Sequence, residues 1–227
     1  MRAAKKALFG NDALEDIARL AGELNRKIDV VFDVGAHHGA TSAFFVSNFP
    51  KAKIFAFEPH APSLEVLRKN VVSEAFQSFE LALSDKIGQA EFHEYGNQST
   101  INSLESHAPY AVRFDRKSKS RVINIDTVDA FCVANNIDHI SVLKIDTEGH
   151  DLSVMKGATG LFERRKIDFV LFEFTNFGAS VGAQGGALNE IGTFLDHYDF
   201  QFVATYTDYI VPKKDIFVVA NGLAVRK

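Results

Sequence analysis

The chain has 227 residues, 46% of them hydrophobic and 24% charged, with a formal net charge of -4. That length suits one α/β domain with a full core, and the composition is that of a globular protein rather than a disordered one. The acidic balance argues against a generally basic nucleic-acid surface, and one cysteine, Cys132, excludes an internal disulfide and a multi-cysteine zinc site.

The N-terminal apolar run is short and broken by Gly10, Asn11 and Asp12, so neither a leader nor a membrane span is expected there. No later stretch reaches the ~18 apolar residues a spanning helix needs. A cytoplasmic protein with no membrane partner is the expectation. Asp12 with Glu15 resembles a capping box, and Leu14, Ile17, Ala18, Ala21 and Leu24 then share one helical face. Residues 1–27 are therefore expected to form a helical extension. Ile28–Val34 is a β-branched run ending at Gly35, which predicts a buried parallel strand.

A helix is predicted over Gly39–Phe49, closed by Pro50, and a second strand over Lys53–Phe57. Pro62 suits the first position of a helix over Ser63–Val71. Phe79–Leu83 reads as the third strand. Residues 84–121 lose the period, with short pieces that can pair as a hairpin. Val122–Ile125 restores it, before a helix from about Thr127 to Asn135 with Asp126 as the expected cap. Ser141–Ile145 is the fourth parallel strand, followed by a helix over Asp151–Glu163 and a strand over Phe169–Phe174. A Gly-rich stretch, 178–186, leads into a helix over Ala187–His197. Gln201–Thr205 and Ile216–Ala220 flank a turn at Pro212-Lys213-Lys214 and are expected to pair antiparallel. Strand alternating with helix implies right-handed crossovers and a mostly parallel sheet covered on both faces, within a single domain.

Ligands bind such sheets beyond the carboxyl ends of the strands. Those ends read Asp33-Val34-Gly35-Ala36-His37-His38-Gly39, Phe57-Glu58-Pro59, Leu83-Ser84-Asp85, Lys144-Ile145-Asp146-Thr147-Glu148-Gly149 and Glu173-Phe174-Thr175. An acid stands at or just past each one. The first turn is Gly-x-x-x-Gly (Gly35, Gly39), with His37 where a dinucleotide fingerprint has the glycine that admits a pyrophosphate. Asp33 would repel a pyrophosphate, so a cationic ligand is favoured. Glu58 lies 23 residues after Gly35, the position from which an acid accepts from ribose hydroxyls. Ser84 or Asp85 falls where an adenine edge would.

VFDVGAHHGATS, FAFEPHAPSLEVLRKNV, LALSD, INIDTVDAF, VLKIDTEGHDLSVMKGA and FVLFEF, in that order over residues 28–175, resemble the FkbM-type methyltransferases. The stretch 146–151 with Lys156-Gly157-Ala158 is the most specific. The resemblance implies a Rossmann-like class I methyltransferase fold with strand order 3-2-1-4-5-7-6. It implies S-adenosylmethionine as methyl donor and a hydroxyl of a small molecule, sugar or natural product as acceptor. The family has Asn where this chain has His37.

The expected cofactor site is Asp33, Gly35, Ala36, His37, Gly39, Glu58, Pro59, Ser84, Asp85 and Asp146. Transfer to a hydroxyl needs a base as the bond forms. Asp146, Glu148 and His150 are the candidates, Asp146 facing the methyl group or acceptor and Glu148 holding acceptor hydroxyls or the loop. A metal on His37, Asp146 and His150 is not expected, because histidine is a poor magnesium ligand. The alternatives are an NAD(P)-dependent oxidoreductase, which shares the fold and the ribose acid, and a non-catalytic nucleotide-binding module. Cys132 reads as core. The basic run Arg113–Arg121 reads as a solvated loop or a recruiter of an anionic acceptor, and residues 93–121 and 176–187 as acceptor loops, the latter a candidate lid.

Overall fold

The computed structural model describes residues 9–95, 102–105, 118–175, 187–212 and 216–227. The basic run through Lys117, the Gly-rich stretch 178–186 and Lys213-Lys214 lie outside them.

Helix α1 (Ala13–Glu23) is capped by Asp12, whose side chain accepts from the N–H groups of Leu14 and Glu15. Then come β1 (Val30–Val34), α2 (Ala40–Asn48), β2 (Lys53–Phe57), α3 (Ala61–Asn70), β3 (Phe76–Phe79), β4 (Ala82–Leu83), β5 (Gly88–Glu94) and β6 (Lys119–Asp126). The remainder is α4 (Val128–Ala134), β7 (Ile140–Ile145), α5 (Asp151–Lys156), α6 (Thr159–Glu163), β8 (Ile167–Phe174), α7 (Leu188–His197), β9 (Phe200–Pro212) and β10 (Ile216–Arg226).

Seven strands form one sheet in the order β3-β2-β1-β7-β8-β10-β9. Counted along that sheet alone the order is 3-2-1-4-5-7-6, as the family resemblance implied. Only β10 runs antiparallel to its neighbours β8 and β9. This is the Rossmann-like class I methyltransferase architecture. Alternate residues of each parallel strand enter opposite cores. Phe32 belongs to one core cluster with Phe131 and Cys132 of α4 and Ile191 and Leu195 of α7, while Val31 belongs to another with Ile17 of α1 and Phe45 of α2. The N-terminal helix is thus part of the core. Cys132 is buried, and burial, then Asp129, pushes its thiol up to about 12, as a core cysteine requires.

Three expectations need correction. The run Phe79–Leu83 is not one strand: β3 ends at Phe79, and Ala82–Leu83 pairs with β6 in a separate three-stranded sheet ordered β4-β6-β5. The cap of α4 is Thr127, whose hydroxyl accepts from Ala130 N–H, while the Asp126 side chain accepts from Thr127 N–H, ahead of the helix. The helix expected over 151–163 breaks into α5 and α6 around Gly157-Ala158. Among the described residues no helix is long and apolar enough to cross a membrane.

Candidate functional site

The turn after β1 is built around two glycines with positive φ. Gly35 sits at φ +74°, and a Cβ there would lie 1.8 Å from the Asp146 carbonyl oxygen, so only glycine lets β1 and β7 end this close together. Gly39 sits at φ +88° and begins α2, and a Cβ there would press on Leu67 of α3 at 2.4 Å. Its constraint is helix packing rather than ligand approach.

Asp33 is completely buried and does not reach the cavity. Its carboxylate accepts from the Ser42 hydroxyl at 2.7 Å and pairs with Lys144 Nζ at 3.1 Å. Lys144 also donates to the Gly35 carbonyl at 3.1 Å and stands 3.5 Å from Asp146. Burial alone would lower the Lys144 pKa, but Asp33 and then Asp146 outweigh it and hold the ammonium above its ordinary value. Lys144 and Ser42 were not among the expected site residues. Lys144 had a visible signal as the one charge inside the apolar run 140–145.

Glu58 is buried at the end of β2, its two oxygens accepting from the backbone N–H groups of His37 and His60, each at 2.8 Å. Burial raises its carboxyl to about 7 against the pull of those two bonds. His37 takes a left-handed conformation (φ 46°) and stacks on His38 at 3.7 Å. Burial, then His38, lowers its imidazole to about 4, so it is neutral at physiological pH.

A cavity of about 310 Å³ opens at these strand ends, within the size range of small-molecule sites. Of the expected residues it brings together Gly35, His37, Glu58, Pro59, Asp146, Glu148 and His150. Asp33, Ala36, Gly39, Ser84 and Asp85 do not line it. Leu81, Ala82 and Leu83 form the wall where Ser84 and Asp85 were expected, and Asp85 is exposed. Asn102, Ser103 and Leu104, within the expected acceptor loop 93–121, close another side, joined by Glu173, the acid read at the fifth strand end, and by Asp208, which the sequence did not single out.

The loop after β7 is clamped from within. Asp151, fully buried, accepts from the Thr147 N–H and hydroxyl and from Glu173 N–H. The Ser103 hydroxyl lies 3.2 Å from the Thr147 carbonyl and 3.1 Å from that of Glu148. Glu148 and Gly149 both have positive φ, which turns the loop back over the cavity. Both ring nitrogens of His150 are taken, one by Glu105 at 2.7 Å and the other by Ser84 Oγ at 2.9 Å. Burial, then Asp146 and Asp151, pushes the Glu148 carboxyl well above its ordinary range, and burial, then Asp146 and Glu148, does the same to Glu173.

A profile of the methyltransferase FkbM domain matches residues 33–202, three-quarters of the chain. The chain belongs to this family. It is similar to the 2-O-methyltransferase NoeI of Sinorhizobium fredii, 26% identical over 67% of this chain and 66% of that one. It is also similar to the hexuronic acid methyltransferase AglP of Haloferax volcanii, 30% identical over 70% of this chain and 61% of that one. The aligned region thus spans just under two thirds of these curated relatives. Among solved structures, a Listeria monocytogenes chain assigned as an S-adenosylmethionine-dependent methyltransferase superposes with a TM-score of 0.53 at 9% identity, over 94% of this chain and 97% of that one. That likeness concerns the fold.

Proposed function

We propose that this FkbM-family chain is an S-adenosylmethionine-dependent O-methyltransferase whose acceptor is a hydroxyl of a saccharide or similar hydroxylated metabolite. The observation that carries the reading is the single cavity joining the Gly35 turn, Glu58 and Asp146. S-adenosylmethionine bound there would supply an activated methyl carbon for the acceptor oxygen, with the thioether as leaving group. The residues fit that ligand: the glycine turn admits close approach, Glu58 retains lone pairs for ribose hydroxyls, and acids suit a cationic amino-acid end. Leu81, Ala82 and Leu83, on the apolar wall of the cavity, would flank the adenine. Asp33, Ala36, Gly39, Ser84 and Asp85 support the site from behind, Asp33 through Lys144.

The chain's own task is to place the acceptor in line, exclude water and take the hydroxyl proton. Asp146 faces the cavity and is assigned as base. Glu148 is assigned to acceptor hydroxyls, and His150, held at both nitrogens, to bracing the loop against Ser84 and Glu105. Asn102, Ser103 and Leu104 supply the acceptor wall. The hexuronic acid named for the Haloferax relative supports a saccharide.

Calorimetric titration with S-adenosylhomocysteine tests the reading, and no heat of binding at millimolar ligand overturns it. Glu58→Ala is expected to weaken that binding by about 1–3 kcal/mol through lost ribose bonds. Unchanged affinity removes Glu58 from the site.

A further inference from the structure

We propose that Asp146, Glu148 and Glu173 form a binding site for one hard divalent cation, of the Mg²⁺ or Mn²⁺ class, on the acceptor side of the cavity. One carboxylate oxygen from each residue lies within 4.8 Å of the others. Ligands sharing a cation at ~2.1–2.4 Å stand at most about 4.8 Å apart, so the three can converge on one ion with little movement. The backbone already aims two of them together. Ile145 and Phe172 are register partners in the parallel pair β7–β8, and Asp146 and Glu173 are the next residues of each strand.

Glu173 decides for a ligand. The residue is 7% exposed and lines the cavity, yet among the described residues its carboxylate has no hydrogen bond or ion pair; its backbone N–H donates to Asp151. Its oxygens open only into the cavity, and a largely buried carboxylate without a protein partner is the kind of group that coordinates a metal. Lys144, the cation that reaches Asp146, is already shared between Asp33, the Gly35 carbonyl and Asp146. A donor set of carboxylate oxygens alone, without thiolate or imidazole, selects Mg²⁺, Mn²⁺ or Ca²⁺ over zinc or copper. This set differs from His37, Asp146 and His150, and His150 has no free nitrogen to give.

The position points to the acceptor rather than the donor. Glu173 is on β8, three strands from Glu58 on β2, or about 14 Å at the usual strand spacing of ~4.8 Å. Coordination positions that the three carboxylates leave open would take hydroxyl or carboxylate oxygens of the acceptor. That last step rests on the methyl-transfer reading; the cation site does not.

The test is to titrate the full chain with Mn²⁺ alone, following loss of the free-ion electron paramagnetic resonance signal, and separately with S-adenosylhomocysteine in the absence of metal. One Mn²⁺ per chain is expected, weakened roughly tenfold or more in both Glu173→Gln and Glu148→Gln, since ligand charge count tunes such affinities. Both variants should keep wild-type affinity for S-adenosylhomocysteine, which shows them folded; if one does not fold, the other decides. No uptake by the wild type at millimolar Mn²⁺, or uptake that both variants leave unchanged, overturns the site. Weakened S-adenosylhomocysteine binding in the variants without any Mn²⁺ uptake also overturns it, assigning the cluster to the cofactor's ammonium group. Binding of S-adenosylhomocysteine without Mn²⁺ leaves the methyl-transfer reading standing while the cation site falls, and the reverse result separates them the other way.

Discussion

At the residue scale the most consequential contact is Lys144 with Asp33. They are register partners on adjacent strands, and both are buried. Asp33 was legible as an acid in a strand-end motif, but its partner was not, because register between β1 and β7 is set more than a hundred residues apart in sequence. Removing one member of a buried ion pair leaves an uncompensated charge and costs on the order of 3–5 kcal/mol. Lys144→Met should therefore lower the urea midpoint strongly. Adding Asp33→Asn should recover part of the loss, because the orphaned charge is then gone. Additive destabilisation in the double variant would mean the pair is not the source. His37 illustrates a substitution that local physics tolerates. At φ 46°, a residue with a short polar side chain or histidine is accepted, and its backbone N–H, the group that meets Glu58, is independent of side-chain identity.

At the element scale, the strands and helices facing one large core were readable from periodicity, and those joining two sheets were not. Phe79-Glu80-Leu81-Ala82-Leu83 looks continuous, but the chain leaves the main sheet at Glu80 and enters the small one two residues later. Local pattern carries no label for which sheet a strand joins, so a continuous reading points to Ser84-Asp85, while the residues that line the cavity are Leu81–Leu83. The break between α5 and α6 has a comparable cause. A Cβ on Gly157 would meet the Ser84 carbonyl oxygen at 2.0 Å, so the helix pair and the segment after β4 are in backbone contact. Gly157→Ala should push them apart and cost about 1–3 kcal/mol, the usual range for overpacking. Because Ser84 also holds His150, affinity for S-adenosylhomocysteine should fall with stability. The matched control is Gly22→Ala on α1, where nothing lies within 4 Å, and where better helix propensity should raise stability by roughly 0.5–1 kcal/mol. Thermal denaturation of the two variants checks both signs; a neutral Gly157→Ala would remove the close approach as a constraint.

At the scale of the whole molecule, the sheet gathers acids at one end, and stability there depends on pH. Glu58 gives the cleanest sign. Burial raises its pKa from 4.5 to about 7, opposed by the His60 and His37 N–H bonds and by Lys144 on β7, and assisted by Asp33 on β1. Between those two values the unfolded chain has released the proton and the folded chain still holds it. The folded state binds more protons, so this contribution is fully present below pH 4.5 and is lost as pH rises through about 7. At 1.36 kcal/mol per unit the loss is on the order of 3 kcal/mol. Glu58→Gln carries no titrating group, so urea unfolding at pH 5 and pH 8 should give a smaller decline for it than for the wild type. Parallel declines would show that Glu58 is not the source. The same linkage joins stability to ligand: a nucleoside bound only by the folded state adds RT ln(1 + [L]/Kd), so saturating S-adenosylhomocysteine should offset the decline at pH 8 in the wild type. The offset should be smaller in Glu58→Gln, since the side chain that costs stability when empty is the one proposed to hold the ribose.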